Sequence, residues 1–386
     1  MVYVLLAYGA LALAGVGLLY QLFALGAVGR FFAAPPARHA AAQAVTILKP
    51  LHGAEPRLAE NLDGFTRQDY DAPVQIVLGT NAADDGAAPV ARAMAAAHDN
   101  IAYYPGPRAD AANGKVGSLI AMMPLAAHDV LVLSDSDMVV APDYLARIND
   151  ALSQPGVGAV SCLYVGRGDA GLWSRVGAMM IAAQTLPNMV VGIATGMAQP
   201  CMGSTIALRR ETLEAMGGFP ALADVLADDH AIGAGVRAQG LRVDIPPMIL
   251  VHAGAESSFR ALWRQHLRWA VTVRDLAGAG HYGSIVTHGL PLGVLAAALV
   301  PGIGGALLLA IILARLALAA KVHKYAPIAL PLWLIPIADL ICFCVFCASL
   351  FATAIDWRGT SLTMTSKGRI RGLPATDHAA RTKRDR

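Results

Sequence analysis

Apolar positions along this chain fall into three regimes. Residues 2–29, "VYVLLAYGALALAGVGLLYQLFALGAVG", carry no charge, and a run of that length crosses a bilayer core. The run lacks a basic start and is too long for a signal core, so it reads as a retained anchor. Two more apolar stretches lie at 284–320 and 325–355. The first is longer than one straight span needs, and Pro291, Pro301 and "GIGG" interrupt it. One broken helix, two spans, or a re-entrant piece plus a span would each fit.

Residues 40–280 alternate on a shorter scale. "AVTILKPLHG" (44–53) reads as a strand ending in a Pro/Gly turn, and "VQIVLGT" (74–80) as a second buried strand. "LAENLDGFTRQDY" (58–70) has apolar positions at helical spacing, residues 88–98 form an alanine-rich helix, and "PDYLARINDAL" (142–152) another. "VLVLSD" (130–135) is a further strand. Strands alternating with helices predict an α/β domain on a largely parallel sheet. In such sheets ligands bind beyond the carboxyl ends of the strands.

Composition agrees with a membrane protein. The 386 residues are 56% hydrophobic and only 15% charged, with a mean hydropathy of +0.51, too apolar for an ordinary soluble chain. The net charge of +3 matters less than its placement. Arg30, Arg38 and Lys49 follow the first run and put the middle domain on the cytoplasmic side; the tail 356–386 is also basic. A cytoplasmic tail requires an even number of crossings after the domain, a count that Lys321 and Lys324 complicate. Five cysteines make no disulfide framework in a chain this size. "CFCVFC" (342–347) lies inside an apolar run, where packing outweighs a metal site. Asp339, in the same run, needs a partner or a cavity.

The candidate chemistry is carboxylate chemistry. Neither G-x-G-x-x-G after the first strand, nor G-x-x-x-x-G-K-[ST], nor G-x-S-x-G is present. Instead Asp84 and Asp85 follow the second strand, and Asp135 and Asp137 end the strand at 130–135. Asp228 and Asp229 stand in "VLADDHAIG" (225–233), and Gln265, Arg268 and Trp269 in "RQHLRW" (264–269). In an extended strand Asp135 and Asp137 share a face, where their repulsion invites a divalent cation. Singly, each site has a plainer reading: a "DDG" turn, a helix cap, a surface ion pair, an interfacial tryptophan. The ordered set is more specific than its members.

That series, D, D-x-D, D and Q-x-x-R-W in a membrane-tied α/β domain, resembles the family 2 inverting glycosyltransferases. More closely it resembles the ceramide-glucosyltransferase-like group, family 21. The likeness includes "ILKPLHG" (47–53), "NGKVGSL" (113–119), "SDSDMVVAPDYL" (134–145), "CMGSTIALRRETLEAMGGF" (201–219) and "WRG" (357–359). The bacterial members acting in hopanoid lipid synthesis are nearest.

The resemblance implies a GT-A type, Rossmann-like nucleotide-sugar domain over 40–280. An anchor at 1–29 would precede it, and membrane helices at 284–355 would follow. It implies Asp85, or its neighbour Asp84, at the uracil or ribose of a UDP-sugar. Asp135 and Asp137 would share the nucleotide and Mg²⁺ or Mn²⁺, with Asp137 the more direct ligand. Asp229 would be the general base of a single in-line displacement, and Arg268 would meet the charge growing on UDP. Gln265 and Trp269 would shape the acceptor side, with Lys49 and Lys115 near phosphate or ribose. "TNAADDG" (80–86) is looser than the family's form, and His230 stands where an aromatic is common.

The expected partners are a UDP-sugar donor, a lipid acceptor and the membrane, with no nucleic acid. The expected location is the bacterial inner membrane, with the catalytic domain facing the cytoplasm. The leading expectation is transfer of N-acetylglucosamine to bacteriohopanetetrol, with glucose to ceramide as the alternative. A processive polysaccharide synthase would need a larger membrane module, and a scaffold or lipid transporter would have no use for the acids. The basic, aromatic segment 257–276 suits an interfacial helix.

Overall fold

The computed structural model describes residues 1–352 and the backbone of 355–357, 360–365 and 369–372. Ten strands precede the C-terminal helices: β1 (Val45–Pro50), β2 (Val74–Gly79), β3 (Ile101–Tyr104), β4 (Val130–Ser134), β5 (Met138–Val139), β6 (Val157–Ser161), β7 (Leu163–Gly168), β8 (Thr205–Arg209), β9 (Arg242–Asp244) and β10 (Ile249–Gly254). Seven form the main sheet in the order β3-β2-β1-β4-β8-β6-β9. β3, β2, β1 and β4 run parallel, and β8 runs antiparallel to both β4 and β6. The parallel strands are near-continuous apolar runs because helices cover both faces. Ile47, Ile76 and Val132 pack on one side, Leu48, Val77 and Leu131 on the other.

The chain leaves β1 toward β2 and β3, then returns to the other side of β1 as β4. The crevice beyond β1 and β4 is therefore a topological switch point, where open α/β sheets bind ligands. A small second sheet, β5-β10-β7, closes over that end, with β10 antiparallel to β5 and parallel to β7.

The apolar runs become helices. The first is Val2–Phe32. The run at 284–320 breaks at Val300 into helix Gly289–Leu299 and helix Pro301–Tyr325, which fold back on each other. A Cβ on Gly304 would lie 2.2 Å from the Ala296 carbonyl oxygen, so only glycine allows this approach. Gly17 meets Gly289 in the same way: an added Cβ would stand 3.2 Å from its Cα. The last run forms helix Ile335–Ser349.

Residues 40–280 hold more than the expected globular domain. Residues 172–195 are a continuous apolar helical stretch long enough to cross a membrane, although two-thirds of its most apolar window is covered by the protein. Met179, Leu186 and Val190 pack with Ala24 and Val28 of the first helix and with Leu318 and Ile335, joining the α/β half to the apolar helices. Within this stretch residues Ile181–Thr185 adopt a π-helical turn. The carbonyl of Ala183 accepts from Arg315, whose guanidinium also grips both oxygens of Asp339. This pairing accounts for Asp339. The three nearby cysteines are free. Arg358, Gly359 and the tail beyond 372 lie outside the described residues.

Candidate active site

A cleft of about 520 Å³ opens at the switch point. β4 ends at Ser134, and Asp135 to Asp137 form the turn before β5. The two carboxylates therefore do not share one strand face, as extended geometry required. Each instead has its own cation. Asp135 Oδ1 stands 2.7 Å from Lys115 Nζ, and Asp137 Oδ2 stands 3.1 Å from His252 Nε2. Pairing β10 with β5 creates the second contact: His252 is in register with Met138, and Ala253 N donates to the Asp137 carbonyl at 2.7 Å.

Lys49 does not line this cleft, contrary to the expectation that it reaches phosphate or ribose. Its side chain is fully buried. Nζ donates to the Asp135 carbonyl at 2.8 Å and to Ser134 Oγ at 3.2 Å, and lies 3.6 Å from the centre of the Phe65 ring. A lysine at the end of a central strand points into packed interior, so it fastens the acidic turn from behind. Burial lowers its pKa to about 7, against the pull of Asp135 and Asp137.

Lys115 does enter the cleft. Asn113 caps helix Gly114–Met122, its Oδ1 accepting from Lys115 N at 3.0 Å, which fixes where the lysine departs. Asn113 Nδ2 donates to Val225 O at 2.8 Å and to Asp228 Oδ1 at 3.3 Å, tying that helix start to the next one. Lys115 Nζ also lies 3.6 Å from Asp228 Oδ2. Burial opposes its charge, but Asp135 and Asp228 hold it protonated, well above the ordinary lysine range.

Asp228 and Asp229 open helix Asp228–Ala238 instead of capping it. Asp229 Oδ1 accepts from His230 N at 2.7 Å and Oδ2 from Gly203 N at 3.0 Å. Gly203 sits among the reactive groups: an added Cβ would lie 3.2 Å from Lys115 Nζ, 3.4 Å from Asp229 Oδ2 and 3.6 Å from Asp135 Oδ2. Burial, then the charge of Asp228, raises the Asp229 carboxyl to about 6 despite Lys115. A carboxyl poised there can hold or release a proton near neutral pH.

Gln265, Arg268 and Trp269 project together from helix Phe259–Ala277, and all three line the cleft. The Trp269 ring meets His266 edge-on at 5.1 Å and His252 at 6.2 Å. Burial keeps His266 neutral, lowering it to about 3.

The structure does not bring Asp84 or Asp85 to the cleft wall. Asp84 is exposed. Asp85 turns inward, where its Oδ1 accepts from Gly53 N at 2.7 Å and Ala87 N at 2.9 Å, and His52 lies 3.3 Å from Oδ2. Asp85 thus shapes the loop after β1, from which His52 reaches the cleft.

His252 was not singled out by sequence reasoning. Its signal is the apolar run "MILV" (248–251), broken by one histidine within strand β10.

A divalent cation fits this donor set. Asp137 Oδ1 and His252 Nδ1 are buried without hydrogen-bond partners, an arrangement that is costly unless something completes it. Burial would raise the Asp137 carboxyl, but His252, Lys49 and Lys115 more than reverse that and hold it ionised. Burial opposes the charge of His252, but Asp137 raises it to about 9, so a cation binding there would release the imidazole's proton. Among the described residues no group of three His, Cys, Asp or Glu forms a ready metal site. Asp135, the third donor, is turned to Lys115.

One solved structure shares this architecture, and others are more distantly similar. The mannosyltransferase PcManGT from Pyrobaculum calidifontis, in complex with GDP-Man and Mn²⁺, is 24% identical with a TM-score of 0.52, covering 90% of this chain and 99% of that one. GalNAc-T7, solved with UDP, GalNAc and Mn²⁺, is 13% identical at a TM-score of 0.42, covering 62% and 51%. The glucosyl-3-phosphoglycerate synthase of Mycobacterium tuberculosis, with Mn²⁺ and UDP-glucose, is 15% identical at 0.38, covering 66% and 83%. The first comparison shows the GT-A fold; the other two are too low to add to it. The model of glycosyl transferase family 21 matches residues 9–370. The chain belongs to that family and is a glycosyltransferase.

Proposed function

We propose that this enzyme moves one sugar from a UDP-sugar to a lipid hydroxyl at the membrane surface, with inversion. The observation that carries the proposal is the convergence on one cleft of Asp135, Asp137, Lys115, Asp229 and Arg268, on a helix that continues directly into the apolar helices. Asp137 and His252, with Asp135, would hold Mg²⁺ or Mn²⁺; PcManGT, which has the same fold, was solved with Mn²⁺. When bound, the cation neutralises the donor's diphosphate.

The residues of the chain do the rest. Lys115 and Arg268 face the diphosphate side and favour the charge that grows on the leaving nucleotide. Asp229, held by Gly203 N and His230 N, takes the proton of the acceptor hydroxyl as that oxygen attacks the anomeric carbon. Gln265 and Trp269 bound the acceptor side. Asp85 contributes by shaping the loop that carries His52, and through it the nucleoside side of the cleft.

For the acceptor we favour a bacteriohopane polyol receiving N-acetylglucosamine in a bacterial inner membrane, with the catalytic domain in the cytoplasm. Support comes from the sequence likeness and from the apolar helices flanking the cleft. Ceramide with UDP-glucose is the second reading. Mass spectrometry of host lipid extract incubated with the enzyme, Mn²⁺ and each donor separates them. Hexosamine on a hopane polyol is expected; hexose on ceramide selects the alternative. A long polymer would refute single transfer.

A further inference from the structure

Length and composition make Leu332–Ser349 a candidate span, but its two ends lie on one side of the molecule. Tyr3 Oη donates to Leu299 O at 2.5 Å, so the start of the first helix and the tip of the 289–325 hairpin share the end far from the catalytic domain. At the near end, the Phe32 and Tyr325 rings lie 5.2 Å apart. The segment entering the last helix folds back there, with Leu330 N donating to His323 Nδ1 at 3.2 Å. The opposite end of that helix is held by the catalytic half. Arg274 donates to the carbonyls of Ser349 and Ala352, and His281 Nε2 lies 2.9 Å from Ser349 Oγ. Arg274 follows the cleft residue Trp269 by little more than one turn, roughly 7.5 Å along the axis.

A helix with both ends at the catalytic side lies along the layer instead of crossing it. Its outward face is an apolar stripe: Trp333, Ile337, Leu340 and Phe351 are exposed, at steps that keep one helical face. Its inward face, with Ala338, Asp339, Val345 and Phe346, is buried. The stripe carries no lysine or arginine, so its chemistry suits acyl chains and not charged headgroups.

We infer that residues 332–351 form a keel lying in the membrane leaflet on the catalytic side, and that the chain crosses the bilayer three times. The crossings are helix Val2–Phe32, the bent pair Ala279–Thr287 and Gly289–Leu299 taken as one broken span, and helix Pro301–Tyr325. This rests on the reading that the apolar helices enter a bilayer, but not on the reaction. It requires the chain termini to face opposite sides, and it seats the Gln265–Trp269 face beside the lipid.

The test uses the full chain with an epitope at each terminus, in sealed spheroplasts and in inverted vesicles exposed to protease. The N-terminal epitope should be lost only from one face, and the C-terminal epitope only from the face that exposes the catalytic domain. Loss of both epitopes from the same face overturns the three-crossing topology. A nitroxide on Leu340→Cys, with the native cysteines replaced, should report a depth in the upper acyl chains of one leaflet, just below the headgroups; a position at the bilayer centre, or in water, overturns the keel. A chain that washes off membranes at high pH overturns the bilayer reading itself.

Discussion

His252 Nε2 stands 3.1 Å from Asp137 Oδ2, while the second nitrogen of one and the second oxygen of the other are buried without a partner. Two strands that are distant in sequence, β5 and β10, create this relationship by pairing. A divalent cation held at this pair, as proposed, would make His252 as necessary as the D-x-D acids. His252→Ala should weaken Mn²⁺ binding by about 10–100-fold, measured by calorimetry or electron paramagnetic resonance with UDP present. Unchanged affinity would remove His252 from the site.

As the proposed base, Asp229 should set an acidic limb. Its carboxyl must be ionised to accept a proton, and its folded pKa is about 6. Transfer should therefore rise with pH through about 6 and level off above it, when donor and metal saturate. A flat profile between pH 5 and 7 would exclude this carboxyl as the base.

Lys115 lies 2.7 Å from Asp135 and 3.6 Å from Asp228, the neighbour of the proposed base, and its charge lowers the Asp229 carboxyl. Removing its charge in Lys115→Met leaves these carboxylates facing one another, so the limb should move to higher pH as kcat falls. A limb that stays in place would mean that Lys115 serves only the phosphate.

Gly203 tests the space between the groups. Gly203→Ala places a methyl 3.2–3.6 Å from Lys115 Nζ, Asp229 Oδ2 and Asp135 Oδ2. These are tight contacts without backbone clash, so the variant should fold, melt normally and lose activity. An active variant would show that the reacting atoms pass elsewhere.

Arg315 and Asp339 form a buried pair whose separation should be expensive. Asp339→Leu alone should cost about 3–5 kcal/mol, while the double change Arg315→Met with Asp339→Leu should recover most of it. Melting in detergent distinguishes the two. Equal loss in both would mean that the Arg315 contact with Ala183, and not the charge pair, holds the helices.

Much of this was legible in the chain because local patterns carried it. The strand runs at 45–50, 74–79 and 130–134, the long apolar helix Val2–Phe32, and the cleft positions of Asp135, Asp137, Asp229 and the Gln265–Trp269 face follow from period, spacing and the family likeness, whereas Asp84 and Asp85 stay off the cleft wall. Pairing and depth were not legible. Lys49 looked like a cleft cation until β1 proved central and the side chain buried. Asp135 and Asp137 looked like same-face neighbours, but β4 stops one residue earlier and each finds a different cation. His252 was missed because its partner lies more than a hundred positions away. The apolar 172–195 helix was hidden because its sequence alone does not say whether lipid or protein covers it.

The most direct measurement is the turnover of Asp229→Asn beside the wild type, with binding of UDP and Mn²⁺ measured on the same preparations. The substitution keeps the shape and removes only the ability to take a proton. Lipid glycosylation should fall by about 10²–10⁴-fold, with UDP affinity intact. A variant that binds UDP normally and still transfers sugar within a few-fold of the wild type would contradict the assignment of Asp229 as the base.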